Sequence, residues 1–332
     1  MLSLGKMKLE EYQGWKYGYD GRRRMFELQH DKQVKDPLSF FKYYALTDNS
    51  VDALTNLYVY ASHPAQLNDP FDCDDSLAII DDEVNAKFVW DPLYEKVRLT
   101  YPKNEDFYRY TTKAFSTVMF SKWGVLSLTD RSDSMIMWSL YAQNNGFCLE
   151  WDVSQFPFDK SGPYPIHYVS KIEEATSSKY DAATLVFIQS NVKNKCWSYE
   201  NEWRLMIHAP LGFDMKMFGK FAEEINKSYP DAHDRKFRYP LSSLKSITLG
   251  VNFFKDLSEN RRAVLTKNNE LHVCYPSICN QTKVLDFLDK LNSQYCSTRI
   301  QLAHKERFEL TTSPICVKKL SDLAYCIIEL PE

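Results

Sequence analysis

The chain has 332 residues, 44% apolar and 26% charged, the make-up of a globular protein that can bury a sizeable core and not of a disordered or fibrous one. Its 41 basic and 44 acidic side chains give a net charge of -3, so no global positive field favours a polyanion, and nucleic-acid binding would need a local patch. No apolar run approaches the roughly eighteen residues of a membrane span, Lys6, Lys8, Glu10 and Glu11 interrupt any signal peptide, and eight scattered cysteines without a C-x-x-C motif read as reduced thiols of a cytoplasmic protein with no membrane partner.

Residues 1–36 are polar and aromatic, contain Gly14, Gly18 and Gly21, and read as an N-terminal extension. Arg22, Arg23 and Arg24 lie close to Trp15, Tyr17 and Tyr19; this basic stretch reads most simply as a solvated segment. A core domain is expected over 37–295. It opens with a strand over 40–46 and a turn at Thr47-Asp48-Asn49-Ser50, followed by a short helix over 52–56. A second strand follows over 57–62, with Leu57, Val59 and Ala61 on one face. Asn68-Asp69-Pro70-Phe71-Asp72 reads as a tight polar turn, because proline fixes φ and Asn or Asp caps neighbouring amides. Residues 76–116 read as mainly helical, interrupted at Pro92 and Pro102, and 118–129 as strand material around Gly124.

Residues 132–144 have helical spacing, with Met135, Trp138, Tyr141 and Ala142 on one face and Gly146 as the C-terminal cap. Residues 147–152 alternate as a strand, Phe147, Leu149 and Trp151 opposing Cys148 and Glu150. A helix is expected over 181–193 and a strand over 202–208. Strand, helix and strand then follow over 247–251, 256–266 and 271–275. A strand-rich C-terminal extension, 296–332, is expected to pack on the core. The fold class that emerges is α+β, a mixed and largely antiparallel sheet core flanked by helices.

Four segments carry a family resemblance. They are Phe41-Lys42-Tyr43-Tyr44; Tyr58 to Asp72 with its Asn-Asp-Pro-Phe-Asp end; Leu126-Ser127 through Met137-Trp138-Ser139-Leu140-Tyr141 to Gly146-Phe147-Cys148-Leu149; and Lys195-Cys196-Trp197-Ser198-Tyr199-Glu200-Asn201-Glu202-Trp203-Arg204-Leu205. In this order they resemble the bacterial family called domain of unknown function 2971, over roughly residues 38–290. That family name implies no established biochemistry.

Strand alternation through the last segment places Glu200, Glu202 and Arg204 on one face and Trp203 and Leu205 on the other. Two carboxylates and a guanidinium at the mouth of an apolar strand suit a polar ligand or positive charge developing on a sugar; an exposed Glu–Arg pair is the plainer reading. The arrangement is similar to the Glu-x-Glu element of ADP-ribosyltransferases and extends the expected fold class to one of that kind. The resemblance implies NAD as substrate, with Glu202 as the carboxylate at the NAD ribose and Glu200 on the acceptor side. A fixed carboxylate there would stabilise the cation left when the nicotinamide–ribose bond breaks. Ser127-Leu128-Thr129 stands where those enzymes carry a Ser-Thr-Ser strand, placing Ser127 and Thr129, with Asn68, among the NAD contacts. Tyr44 stands where they carry Arg or His, a departure that leaves Lys42 or Arg204 to meet the pyrophosphate. Trp138 and Tyr141 could stack on nicotinamide or an acceptor base, although core packing is the commoner fate of such residues. The resemblance implies a nucleic-acid or protein acceptor and a toxin or antiviral effector, which would bring an antitoxin or chaperone partner.

Two rivals remain open. Asp69, Asp72, Asp74 and Asp75 are hard oxygen ligands that could hold magnesium or manganese in a nuclease, and a non-enzymatic sensor or partner-binding module needs no chemistry at all. No metal ligand set is assigned, because His272, Cys274 and Cys279 lack structural-zinc spacing. The P-loop, dinucleotide-glycine, H-E-x-x-H and G-x-S-x-G signatures are missing, which disfavours classical dehydrogenase, P-loop and α/β-hydrolase readings. Cys196 has no identifiable partner histidine and reads as a buried thiol.

Overall fold

The computed structural model describes residues 8–20, 25–30, 34–82, 108–109, 111–113, 116, 123–157, 162–208, 235–254, 262–265, 270–274, 282–295, 297–307 and 309–331. The arginines at 22–24, most of the expected helical region 76–116, Cys279 and Cys296 lie outside them. The chain divides into two compact units, each assembled from three stretches: 1–36, 60–127 and 158–237 in the first, and 37–59, 128–157 and 238–332 in the second. The strand Trp123–Thr129 runs across the division.

The first unit is built around the helix Ala182–Asn191. Its sequence AATLVFIQSN is largely apolar around its circumference, and residues 183 to 191 are all buried, as such a helix must be. Asp181 caps its start, accepting from the amides of Ala183 and Thr184 at 3.0 and 2.9 Å. Against it lies a three-stranded antiparallel sheet, Glu10–Tyr12, Trp15–Asp20 and Met25–Gln29. Tyr12, Tyr17 and Phe26 of that sheet are buried with Phe187, Val186 and Ile80 in one apolar cluster. What reads in the sequence as a polar extension therefore supplies core residues, its buried tyrosines spending their hydroxyls on hydrogen bonds such as Tyr17 to His167 Nδ1, 3.0 Å.

Two parallel pairs tie this unit together, His167–Val169 with Val192–Asn194 and Ala175–Thr176 with Ala78–Ile79. The strand Glu202–His208, with the bounds its pattern predicts, pairs with Tyr164–Pro165 through Trp203 and Arg204.

The second unit holds a large, mostly antiparallel sheet in the order Arg262–Leu265, Glu270–Cys274, Ala324–Glu329, Glu309–Ser321, Arg299–Glu306, Leu244–Leu249, Phe147–Asp152 and Ser39–Tyr44. Its ladders are antiparallel except for Leu244–Leu249 beside Arg299–Glu306. The architecture is thus mixed α and β, as expected from the sequence. Some local expectations are corrected. The helix expected over 256–266 gives way to a strand over its described part, Arg262–Leu265. Thr47 to Ser50 is not a turn but the capping box of the helix Asp48–Thr55, each end of Thr47 bonding to Ser50. The helix Met135–Ala142 stops at Gln143, whose φ of 52° gives the left-handed cap expected of Gly146. Gly146 is required for a different reason: a Cβ there would collide with the carbonyl oxygen of Tyr44. No helix among the described residues is long and apolar enough to cross a membrane.

Candidate functional site

The candidate site lies in the first unit and is written almost entirely in one stretch of chain. After the buried helix, Val192–Asn194 forms a short strand, and Asn194 then caps a 3-10 turn over Lys195–Glu200 through the amide of Cys196, 3.0 Å. Asn201, in the left-handed region at φ 43°, ends that turn and starts the strand at Glu202. Asn is among the few residues that tolerate this conformation. Glu200 therefore sits on the turn and not on the strand face expected for it, while Glu202 and Arg204 do share a face two residues apart.

These side chains do not stand at an open strand mouth. Glu200, Glu202 and Arg204 are 4%, 4% and 1% exposed, which corrects the expected exposed polar face. The guanidinium of Arg204 grips Asp72 with both terminal nitrogens, 2.8 Å each. Its Nε and Nη2 donate to Glu202 at 2.9 and 3.0 Å, and its last donor goes to the carbonyl of Ser190 at 2.7 Å. All five N–H groups of the fork are thus used, the condition under which a buried arginine is tolerable. Lys193, also buried, donates to Glu200 Oε2 at 2.7 Å and Glu202 Oε2 at 3.3 Å, stands 3.6 Å from Asp72, and lies over the Trp197 ring at 4.7 Å. Three carboxylates thus face two cations.

Asp72 reaches the cluster from the Asn-Asp-Pro-Phe-Asp turn. Asp69 shapes that turn by accepting from the amide of Phe71 at 3.0 Å, and Asp72 N closes onto the Asp69 carbonyl at 3.1 Å. Gln189 of the buried helix holds the following residues through the carbonyls of Cys73 and Asp74, 3.1 and 2.9 Å. The backbone amide of Glu202 donates to the hydroxyl of Tyr168 at 2.9 Å, and the Ser127 hydroxyl bonds to the Glu202 side chain.

The electrostatics follow from this packing. Burial on its own would raise the pKa of Glu202, but Arg204, Lys193 and the Ser127 bond together outweigh it and bring it down to about 2. Burial lowers Lys193, yet Glu202, Asp72 and Glu200 overcome that and hold its ammonium above the ordinary lysine value. Burial raises the Cys73 thiol, and Asp72 beside it adds to the effect, so Cys73 is not a thiolate nucleophile.

Of the residues singled out in the sequence, the structure brings Ser127, Glu200, Glu202 and Arg204 together. Asn68 is exposed on the turn in the same unit. Lys42, Tyr44, Thr129, Trp138 and Tyr141 belong to the second unit. There Trp138 is buried against Tyr43, Ala142 and Cys148 with its indole N–H on the Ser132 carbonyl at 3.0 Å, and the partly buried Tyr141 packs against the same cluster. Thr129 is buried and accepts from the amide of Arg131 at 3.2 Å. Lys42 lies 5.9 Å from the Tyr44 ring centre, and the Tyr44 hydroxyl is buried without a hydrogen-bond partner among the described residues. Of the acids weighed as magnesium ligands, Asp72 is taken by Arg204 and Asp69 and Asp74 accept local backbone amides.

Lys193 is the member that sequence reasoning missed. A lone lysine after an apolar helix carries no pattern of its own; in the fold it pairs in parallel register with Tyr168, whose hydroxyl accepts from the Glu202 amide.

The family model described as "Protein of unknown function (DUF2971)" matches residues 137–205. This stretch contains Lys193, Glu200, Glu202 and Arg204 but not Asp72 or Ser127. No curated protein and no solved structure is matched.

Proposed function

We propose that this chain is an NAD-consuming transferase of the ADP-ribosyltransferase kind, with Glu202 as the carboxylate that stabilises positive charge on the NAD ribose and Glu200 on the acceptor side. The observation that carries the reading is the hydrogen bond from Ser127 to Glu202, which joins the upstream Ser-x-Thr strand to the Glu-x-Glu element. Cleavage of the nicotinamide–ribose bond needs a carboxylate that stays ionised and does not reorganise as charge develops. Arg204 and Lys193 keep Glu202 in that state, and an excess of carboxylates over cations biases the cluster toward a positive guest. In this reading Arg204 is a positioning residue and not a pyrophosphate ligand, because its donors are spent. The acceptor is a nucleic acid or a protein, and the setting is a toxin or antiviral effector acting in the cytoplasm.

The test is incubation with NAD labelled in its adenylate portion together with total RNA, DNA and cell lysate, comparing the intact protein with Glu202→Gln. Label transfer that disappears in the variant is expected; transfer unaffected by it removes Glu202 from the chemistry.

A second reading has its own observation. Both oxygens of Glu202 already accept from Arg204 or Lys193, and the residue is 4% exposed. A non-enzymatic binding module would use the same cluster as a structural keystone. On that reading the cluster variants lower stability and the intact protein consumes no NAD.

A further inference from the structure

A separate group of side chains in the second unit has metal-ligating character. His272 on the strand Glu270–Cys274 faces Cys326 on Ala324–Glu329 directly across the antiparallel register, and Glu270 lies two residues from His272 on the same face. One imidazole nitrogen, one carboxylate oxygen and one sulfur all lie within 4.8 Å of one another, and His272 Nε2 is 3.3 Å from Glu270 Oε2. Cys326 is buried while His272 and Glu270 are partly exposed, so the trio has a closed floor and a side open to solvent.

We propose that Glu270, His272 and Cys326 form a zinc site with three protein ligands and a solvent-held fourth position. The donor set argues for this metal: thiolate and imidazole select a borderline-soft cation such as Zn2+ over magnesium or calcium, which prefer all-oxygen shells. Geometry agrees. Zn–N and Zn–S bonds of about 2.0–2.3 Å place tetrahedral ligands about 3.3–3.8 Å apart, so the trio closes on an ion by roughly 1 Å of side-chain rotation from strands that are already in register. Burial and the neighbouring Glu270 carboxylate both resist ionisation of the Cys326 thiol. A divalent cation removes that resistance by neutralising the carboxylate and taking the sulfur as its ligand. Binding displaces the thiol proton to solvent, and no electron is transferred. The site lies outside the glutamate cluster and does not depend on the NAD reading. Ligand spacing along the chain could not reveal it, because the cysteine that meets His272 is Cys326 across the sheet and not Cys274 beside it.

The experiment uses the full chain, freed of metal with a chelator, desalted, and titrated with Co2+ and then Zn2+. The expected result is near-ultraviolet thiolate-to-cobalt absorption that saturates at one equivalent and is abolished by zinc. Cys326→Ser loses the band, and His272→Ala weakens metal binding at least about 100-fold, since even outer-shell partners are worth 10–100-fold. Cys274→Ser, an exposed thiol on the same strand, leaves the band in place. Should the buried Cys326→Ser variant fail to give native circular dichroism, His272→Ala at its partly exposed position decides the matter. No thiolate band in the intact protein, or a band and affinity unchanged in His272→Ala, overturns the site.

Discussion

Arg204 is the residue on which the cluster turns. It is 1% exposed and holds Asp72, Glu202 and the Ser190 carbonyl at once. A buried ion pair adds little net stability, since desolvation offsets attraction, but removing one member strands the others without a partner. Arg204→Met is therefore expected to lower unfolding free energy by about 3–5 kcal/mol, read as a shift in the urea midpoint at unchanged slope. A loss near zero would mean that the cluster rearranges or hydrates freely. The alternation of Glu202 and Arg204 was legible in the sequence because side chains two apart on a strand must share a face. Their burial was not legible, because it depends on Asp72 and Lys193 arriving from elsewhere: Asp72 read as part of a turn and of an acidic cluster, and Lys193 carries no pattern of its own.

At the scale of elements, the strands Phe147–Asp152 and Glu202–His208 have the bounds that hydrophobic patterning gives. The amphipathic helix Thr282–Ser293 was also readable, with Val284, Phe287, Leu288 and Leu291 at helical spacing and buried, yet it formed no part of the expected elements. The three N-terminal strands were harder to see. Their residues are tyrosines and charged groups, and Tyr12 and Tyr17 are buried only because a buried helix and His167 wait for them. Helix starts could be argued from caps. Asp181 accepts two amides and the Thr184 hydroxyl, so Asp181→Ala is expected to cost about 1 kcal/mol. Asp181→Asn should recover most of that in the same thermal melt, and equal losses in the two variants would place the effect outside the cap.

At the scale of the molecule, acid should unfold the protein in two stages. Burial brings the pKa of His63 and of His167 down from 6.5 to about 4. Both are bound neutral in the fold and take up protons more readily when unfolded, so stability is full above pH 6.5 and falls as pH drops toward 4. Glu202, brought down from 4.5 to about 2, adds a second loss over that lower interval, because its charged form is the one the fold holds. Urea midpoints measured from pH 7 to pH 3 should decline in this order, and His167→Gln should flatten the upper limb; a profile level down to pH 4 would contradict the buried neutral histidines.

We propose that the charge of Glu202 acts on NAD and does more than hold the core together. This is met most directly by the rate of nicotinamide release from NAD, with water or the RNA, DNA and lysate mixture as acceptor, for the intact protein and for Glu202→Gln corrected to its folded fraction. Release by the intact chain is expected, with a fall of at least about 100-fold in the variant, the scale of losing one preorganised charge-stabilising group. Equal rates in the two proteins, or no release by the intact chain, would contradict it.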